Sequence, residues 1–272
     1  TSTCSSVVIV QDNLAPNAVC DLVTKVSLDS NGKGRAFAHT FDDGSTDNCG
    51  IAAFKVRRMN DLCGFGTAFG DYVDFCCADI GTTLMVALEV TDIYGNRNTC
   101  MIEVIVEDKL KPTITCPPNI TLSCTDNYDF NHLDIFGTVV TKVSEVKDVV
   151  IYNAYHNGIV GKDGLAKDNC SVTVSQSYTT NIHCFTGTIN RKFVVTDAAG
   201  LKDSCIQTIT ILNPDPFDNN DIIWPSTFDS TGCRYDQTDP SVTGKPIFKN
   251  TACATVAASY EDNKFYIADG AC

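Results

Sequence analysis

Two residue types occur in numbers and places that suggest chemistry, aspartate and cysteine. The chain has 33 acidic residues, of which 28 are Asp and five Glu. A surface built only for solubility uses both, whereas Asp is selected where a short carboxylate must close a turn or ligate a hard cation. Asp12, Asp42, Asp43, Asp47 and Asp92 fall early in the chain, and Asp108, Asp168 and Asp197 recur at matching places later. Capping its own loop is the commoner use of each, and calcium is the sharper reading for the set. The 15 cysteines include no C-x2-C pair and no cysteine–histidine cluster at metal-ligand spacing. Zinc is therefore the weaker reading, and disulfides formed in an oxidising compartment the stronger. Because the total is odd, at least one thiol is free or bonded to another chain.

Other chemistries find little support. His183 precedes Cys184, but neighbours on a strand face apart and no orienting acid accompanies them. His39, His132 and His156 are scattered, and no G-x-S-x-G, H-E-x-x-H or phosphate-binding loop occurs. The expectation is a protein without catalytic activity. A formal charge of −13 with no basic stripe argues against nucleic acid as a partner. No apolar run approaches the roughly 20 residues of a membrane-spanning helix, so no transmembrane segment is expected. Asn119 and Asn169 match the N-glycosylation pattern, which arises by chance often enough to carry little weight.

The elements that must position these residues repeat. TCSSVVIVQD begins at Thr3, TCMIEVIVED at Thr99 and SCIQTITILN at Ser204, each a hydroxyl residue, a cysteine and an apolar-rich strand. Their cysteines stand 96 and 105 residues apart, the size of one immunoglobulin-like sandwich. The expected organisation is a lone terminal strand over 1–12, domains over 13–108 and 109–212, and an incomplete third domain over 213–272. Within the first domain, alternating segments separated by SNGKG, DDGSTDNC and IYGN read as strands and turns, with Gly95 and Asn96 at the positive-φ positions of the last hairpin. The second domain repeats this grammar through KDNC and AAGL. No amphipathic helix of useful length appears, so the fold class is all-β.

Several motifs resemble those of a known family. Cys116–Pro117, VTDIYGN followed by C-x3-V-x-V-x-D (Asp92, Gly95, Asn96, Cys100, Val104, Val106, Asp108) and VTDAAG followed by Cys205 are similar to hyalin-repeat and related immunoglobulin-like modules. The DNCG, FCCADIG and WP variants look like those of large, repetitive bacterial surface or exported proteins. The match covers nearly all of the first two domains and is weaker over the third, where Trp224 stands in place of the opening-strand cysteine; Leu201 replaces the hairpin Asn. The resemblance implies an extracellular adhesive or structural module made of tandem sandwiches stapled by disulfides. It also implies that the opening cysteine of each domain bonds that of its closing strand, Cys20 with Cys100 and Cys116 with Cys205. Adjacent Cys76 and Cys77 point apart and should take different partners, with Cys49 and Cys63 as the candidates in either order. Among Cys124, Cys170 and Cys184 one is left over and three connectivities stay open, and Cys4, Cys233, Cys253 and Cys272 complete the set.

In a sandwich of this order the last hairpin and the DDGSTDNC loop open at the same end as the linker that enters the domain. Asp12, Asp42, Asp43, Asp47 and Asp92 are then expected to converge on one joint, with Asp108, Asp168 and Asp197 in the same places in the next. The functional expectation is a cell-surface stalk or filament built head-to-tail from copies of this chain or from adjacent repeats of a longer one. Residues 1–12 would complete the third domain of a neighbour, although a window cut from a longer chain explains the ends equally well. The alternatives are an adhesin that recognises glycan or protein, through aromatics such as Phe65, Phe69 and Tyr72, or an accessory region of a large secreted enzyme.

Overall fold

The computed structural model describes residues 2–152, 157–228 and 239–261. Cys233, Cys272 and His156 lie outside the described residues. The strands are β1 (Val23–Ser27), β2 (Lys33–Phe37), β3 (Ile51–Arg58), β4 (Tyr72–Cys76), β5 (Leu84–Asp92), β6 (Arg97–Glu107), β7 (Thr113–Thr115), β8 (Ile120–Ser123), β9 (Val139–Val140), β10 (Asp148–Tyr152), β11 (Asn157–Lys162), β12 (Gly164–Lys167), β13 (Val172–His183), β14 (Thr186–Asp197), β15 (Lys202–Leu212), β16 (Ile222–Ile223) and β17 (Ile247–Phe248). Short 3-10 turns and one helical turn over Pro240–Thr243 are the only helical elements described. The fold is all-β, in immunoglobulin-like sandwiches stapled by disulfides.

Tertiary contacts divide the chain into two compact units. One comprises residues 1–114, 166–175 and 194–204, and the other 115–165, 176–193 and 205–272. In the first, β1, β6, β5 and β3 form a sheet in that order and β2 pairs with β4. The sequence dictates which face turns inward. In β6, Ile102, Val104 and Val106 are buried while Met101 and Ile105 are exposed, and in β5 Leu84, Val86, Leu88 and Val90 are buried. These residues meet Phe41, Val56, Val73 and Phe75 in one core, the period-2 pattern of a strand with one covered face.

The opening strand β1 runs parallel to the closing strand β6, Val23 opposite Glu103. Cys20 and Cys100 are bonded across this pair. The β5–β6 hairpin turns at Gly95, whose φ of 90° suits a residue without a Cβ. Asn96 is not at positive φ; its side chain instead donates from Nδ2 to Asp92 Oδ2 at 2.7 Å.

In the second unit, β8 runs parallel to β15, Ile120 opposite Ile209. Their apolar residues pack with Leu133, Phe136, Val149 and Ile189. Arg191 and Gln207 are buried within this unit and satisfied. Arg191 Nη1 donates to Gly137 O and to Gln207 Oε1, both at 2.7 Å, while Gln207 Nε2 donates to Pro118 O and Phe136 O. Cys116 and Cys205 are bonded.

The remaining bonds correct the expected connectivity. Cys63 bonds Cys76 and Cys77 bonds Cys170, so the adjacent pair does take separate partners, but Cys49 is not one of them. It is an exposed free thiol, as are Cys4 and Cys184. Cys76 ends β4, whereas Cys77 opens a 3-10 turn over Cys77–Asp79. That turn leads its sulfur away from the strand and toward the segment that follows β12. None of Cys124, Cys170 and Cys184 pairs with another of the three, because Cys124 bonds Cys253.

Candidate functional site

The aspartates gather in two places, and the same three sequence positions build both. The first set contains Asp12, Asp47 and Asp92, each offering a carboxylate oxygen within 4.8 Å of the others. Asp92 ends β5 and is 1% exposed. Its Oδ1 accepts from the backbone N–H groups of Tyr94 and Asn96, both at 2.8 Å, and its Oδ2 from Asn96 Nδ2. Asp47 Oδ2 accepts from the N–H groups of Cys49 and Gly50, and Asp12 Oδ1 from that of Leu14. The segment bearing Asp12 is held in place by Asn96, which donates to Asp12 O at 3.1 Å, and by Asn98, which donates to Pro16 O at 2.8 Å. The second oxygens of Asp12 and Asp47 are buried without any partner.

In the second set, oxygens of Asp108 and Asp168 again lie within 4.8 Å of each other. Asp108 follows β6 and Asp197 ends β14; they are 5% and 7% exposed. Asp108 Oδ1 accepts from Leu110 N at 3.0 Å, Asp168 Oδ2 from Cys170 N at 3.0 Å, and Asp197 Oδ1 from Leu201 N at 2.8 Å. Asn169 donates from Nδ2 to Asp29 O and to Asp108 Oδ1. Asp108 Oδ2, Asp197 Oδ2 and Asn169 Oδ1 are buried without a partner. All of these residues belong to the first compact unit.

Electrostatics set Asp168 apart from an ordinary turn acid. Burial pushes the Asp168 carboxyl above the usual aspartate range, and the charges of Asp108 and Asp197 add to the rise. For Asp92 burial acts in the same direction, but the hydrogen bonds from Asn96, Tyr94 and Gly95 outweigh it and hold the group below that range. Asp12 is also lowered, chiefly by the Leu14 N–H. None of the ion pairs between described residues involves any of these six carboxylates. Each cluster therefore concentrates negative charge with no cationic side chain against it.

Asp42 and Asp43 do not join the first set. Asp42 is tied into an isolated bridge with Cys20, and its Oδ1 caps its own loop by accepting from Ser45 N. Asp43 donates its backbone N–H to Val19 O. Both stay with the chain entering β1. A third cluster, Cys63, Cys76 and Asp79, has other work. Its cysteines are bonded to each other, and Asp79 forms a fully buried pair with Arg58, whose Nη1 donates to Asp79 Oδ2 at 3.0 Å and Nη2 to Oδ1 at 2.5 Å. Sequence reading missed this pair, since a strand ending in Arg57–Arg58 looks like a solvated edge. The alternation of β3 was the available signal, because it puts Arg58 on the same face as Val56.

Phe65, Phe69 and Tyr72 are partly exposed, at 43%, 37% and 42%. Each has a guanidinium over its ring, Arg58 over Phe65 at 6.0 Å, Arg57 over Phe69 at 5.0 Å and Arg35 over Tyr72 at 3.7 Å. A more open aromatic surface occurs after residue 216. There Phe217, Trp224, Pro225, Lys245, Phe248 and Tyr260 line a cavity of about 950 Å³.

No protein-family model matches the chain, and no curated protein does. The likeness to hyalin-repeat modules thus rests on motifs alone. Among solved structures, the chain is similar to the M60 catalytic domain with two CBM51 domains from Clostridium perfringens ZmpB, at 14% identity and TM-score 0.22 over 82% of this chain and 19% of that one. It is also similar to protocadherin gamma B2 extracellular cadherin domains 1–5, at 12% identity and TM-score 0.29 over 79% of this chain and 43% of that one. Human CDH23 EC21-23 matches at 10% identity and TM-score 0.27 over 73% and 70%. The chain spans about a fifth of the first of these and under half of the second.

Proposed function

We propose that this chain is an extracellular structural module, a subunit or segment of a cell-surface stalk or filament assembled head-to-tail, and that no catalytic step is part of its role. Five disulfides among the described residues support a life in an oxidising compartment. The observation that carries the assembly reading is the segment before Asp12. Val7, Val8, Ile9 and Val10 are 89%, 81%, 77% and 74% exposed and belong to no strand, although four consecutive apolar residues with three β-branched valines are strand-forming. Their root at Asp12 is held by Asn96, so the arm extends from a fixed point. A strand of this kind is stabilised by adding to an open sheet edge of another molecule, with backbone hydrogen bonds supplying most of the attraction. Among the described residues after 213, Ile222–Ile223 and Ile247–Phe248 pair only with each other, and an outer edge of that pair in a neighbour is the acceptor we assign.

Light scattering over a range of concentrations and negative-stain microscopy test this reading. The intact chain should form linear oligomers, and deletion of residues 1–11 should abolish them, while a synthetic peptide of those residues should bind the shortened chain. A chain that stays monomeric at high concentration, or oligomers unaffected by the deletion, would refute it. The open aromatic cavity favours a second reading, a module that binds glycan or peptide through Trp224 and Tyr260. Saturable binding on a glycan array that is lost in Trp224→Ala would favour this second reading.

A further inference from the structure

We infer that Asp108, Asp168 and Asp197, with the side-chain oxygen of Asn169, form a calcium site, and that Asp12, Asp47 and Asp92 form its repeat earlier in the chain. This goes beyond the assembly reading and does not depend on it. The carboxylates alone would not carry the inference, since acidic turns are common. What carries it is the fate of their second oxygens. Asp108 and Asp197 are more than nine-tenths buried, and each uses one oxygen on a backbone N–H while the other has no hydrogen-bond partner. The amide oxygen of Asn169 is buried and unpartnered beside them, although its nitrogen is fully engaged. Buried acceptors are nearly always satisfied, and a group of acceptor-only atoms is satisfied together by a cation.

The donor chemistry selects the ion. In the Asp108 set every available ligand is oxygen, as hard cations require, and the one sulfur in the group belongs to Cys170, which is bonded to Cys77. In the Asp12 set the free Cys49 thiol lies beside Asp12, whose carboxylate pushes it above the usual thiol range and so keeps it protonated. Zinc and other soft-ligand metals are thereby disfavoured. The Asp108 and Asp168 oxygens are close enough to share one ion. Carboxylates already oriented by backbone N–H groups suit calcium, which accepts about six to eight oxygens in irregular geometry, better than magnesium, which demands near-ideal octahedral geometry and usually keeps several waters. The backbone-capped oxygens fix the orientation of each carboxylate before the ion arrives. In both sets one ligand comes from the linker that leads into a domain, one from the Asp-Asn-Cys loop and one from the last hairpin. Bound calcium would pin those three segments to each other.

Isothermal titration of the intact chain with calcium chloride, after dialysis against EDTA, tests the assignment. Two sites per chain are expected, with dissociation constants at or below about 1 mM, the range of extracellular calcium modules. Asp108→Asn and Asp197→Asn each keep an oxygen for the backbone N–H but replace the unpartnered oxygen with a donor. Either should abolish one site or weaken it at least about tenfold, and Asp12→Asn should do the same to the other. The exposed Asp203→Asn should change neither. Circular dichroism in EDTA reports whether each variant is folded, and the calcium-dependent rise in melting temperature should shrink in every variant but the last. Absence of saturable binding to 10 mM calcium, stoichiometry and affinity both unchanged in Asp108→Asn and Asp197→Asn, or equal affinity for magnesium would overturn the assignment.

Discussion

Removing the bond between Cys77 and Cys170 tests whether disulfides set the stability of this molecule through chain entropy. The two residues are 93 apart in sequence, and the loop-closure relation assigns a bond closing that length about 4.6 kcal/mol at 25 °C. Cys20–Cys100 and Cys116–Cys205, with separations of 80 and 89, come to about 4.5 and 4.6 kcal/mol by the same relation. Cys63–Cys76 closes only 13 residues and comes to about 2.9 kcal/mol. Replacing both partners with alanine avoids leaving a thiol to exchange with exposed Cys4, Cys49 or Cys184. Urea denaturation of Cys77→Ala/Cys170→Ala should therefore show a loss about 1.7 kcal/mol larger than that of Cys63→Ala/Cys76→Ala, with the slope of the transition increased because the unfolded chain exposes more surface. Equal losses, or a larger loss for the short loop, would refute loop closure as the source. The stability would then lie in packing, since Cys77 and Cys170 both touch the core of the first unit.

Gly32 tests the packing beside that bond. Its φ is +69°, and a Cβ there would meet Cys77 Sγ and the Asn169 carbonyl, so Gly32→Ala should cost at least about 1 to 2 kcal/mol from the left-handed backbone alone, read as a shift of the urea midpoint. Arg58→Met should leave Asp79 charged and unpaired in the core and cost about 3 to 5 kcal/mol, while Arg58→Met/Asp79→Asn should recover part of that loss. Asp29 caps the turn between β1 and β2 by accepting from the N–H groups of Lys33 and Asn31, and those bonds hold it below the usual aspartate range, Lys33 first. Its contribution is thus present above the unfolded pKa and lost as pH falls through the folded one. The stability gap between wild type and Asp29→Asn, measured by thermal melts, should be full at neutral pH and vanish in strong acid.

The parts of this molecule that were legible in the sequence are those written more than once. The repeated strand, the Asp-Asn-Cys loop and the closing hairpin each recur, and their common order was enough to expect Asp12, Asp47 and Asp92 together and Asp108 and Asp168 together. Asp42 and Asp43 were included only because they share a loop with Asp47. What excluded them is the Cys20–Asp42 bridge, a pairing between distant residues with no local signature. The Cys77–Cys170 bond was hidden for a related reason. Disulfide partners are chosen by Cα separation and side-chain direction, and a turn one residue after β4 redirected a sulfur in a way that alternation cannot express. Arg58 and Arg191 show the opposite failure, because their charge argued for the surface while strand register put them in the interior. The register is the stronger constraint when a carboxylate or a Gln amide waits at the other end.

The connectivity contains a regularity that bears on assembly. Cys170 follows Asp168–Asn169, and Cys253 stands in the corresponding segment later in the chain; both are bonded to a cysteine from earlier in sequence, Cys77 and Cys124. Cys49 occupies the same position after Asp47–Asn48, yet it is free and exposed. Under the proposed head-to-tail reading, the repeat predicts that Cys49 bonds a cysteine of a neighbouring copy. Forming that bond joins two thiols and passes their two electrons and two protons to oxidised glutathione, which leaves as two molecules of reduced glutathione. In a glutathione redox buffer, the head-to-tail reading predicts covalent dimers and higher ladders on non-reducing gels, collapsing on reduction and absent in Cys49→Ser. Mass spectrometry of the cross-linked peptides identifies the partner. Ladders that persist unchanged in Cys49→Ser, or that vanish instead in Cys184→Ser alone, would break the link between the repeat and the joint.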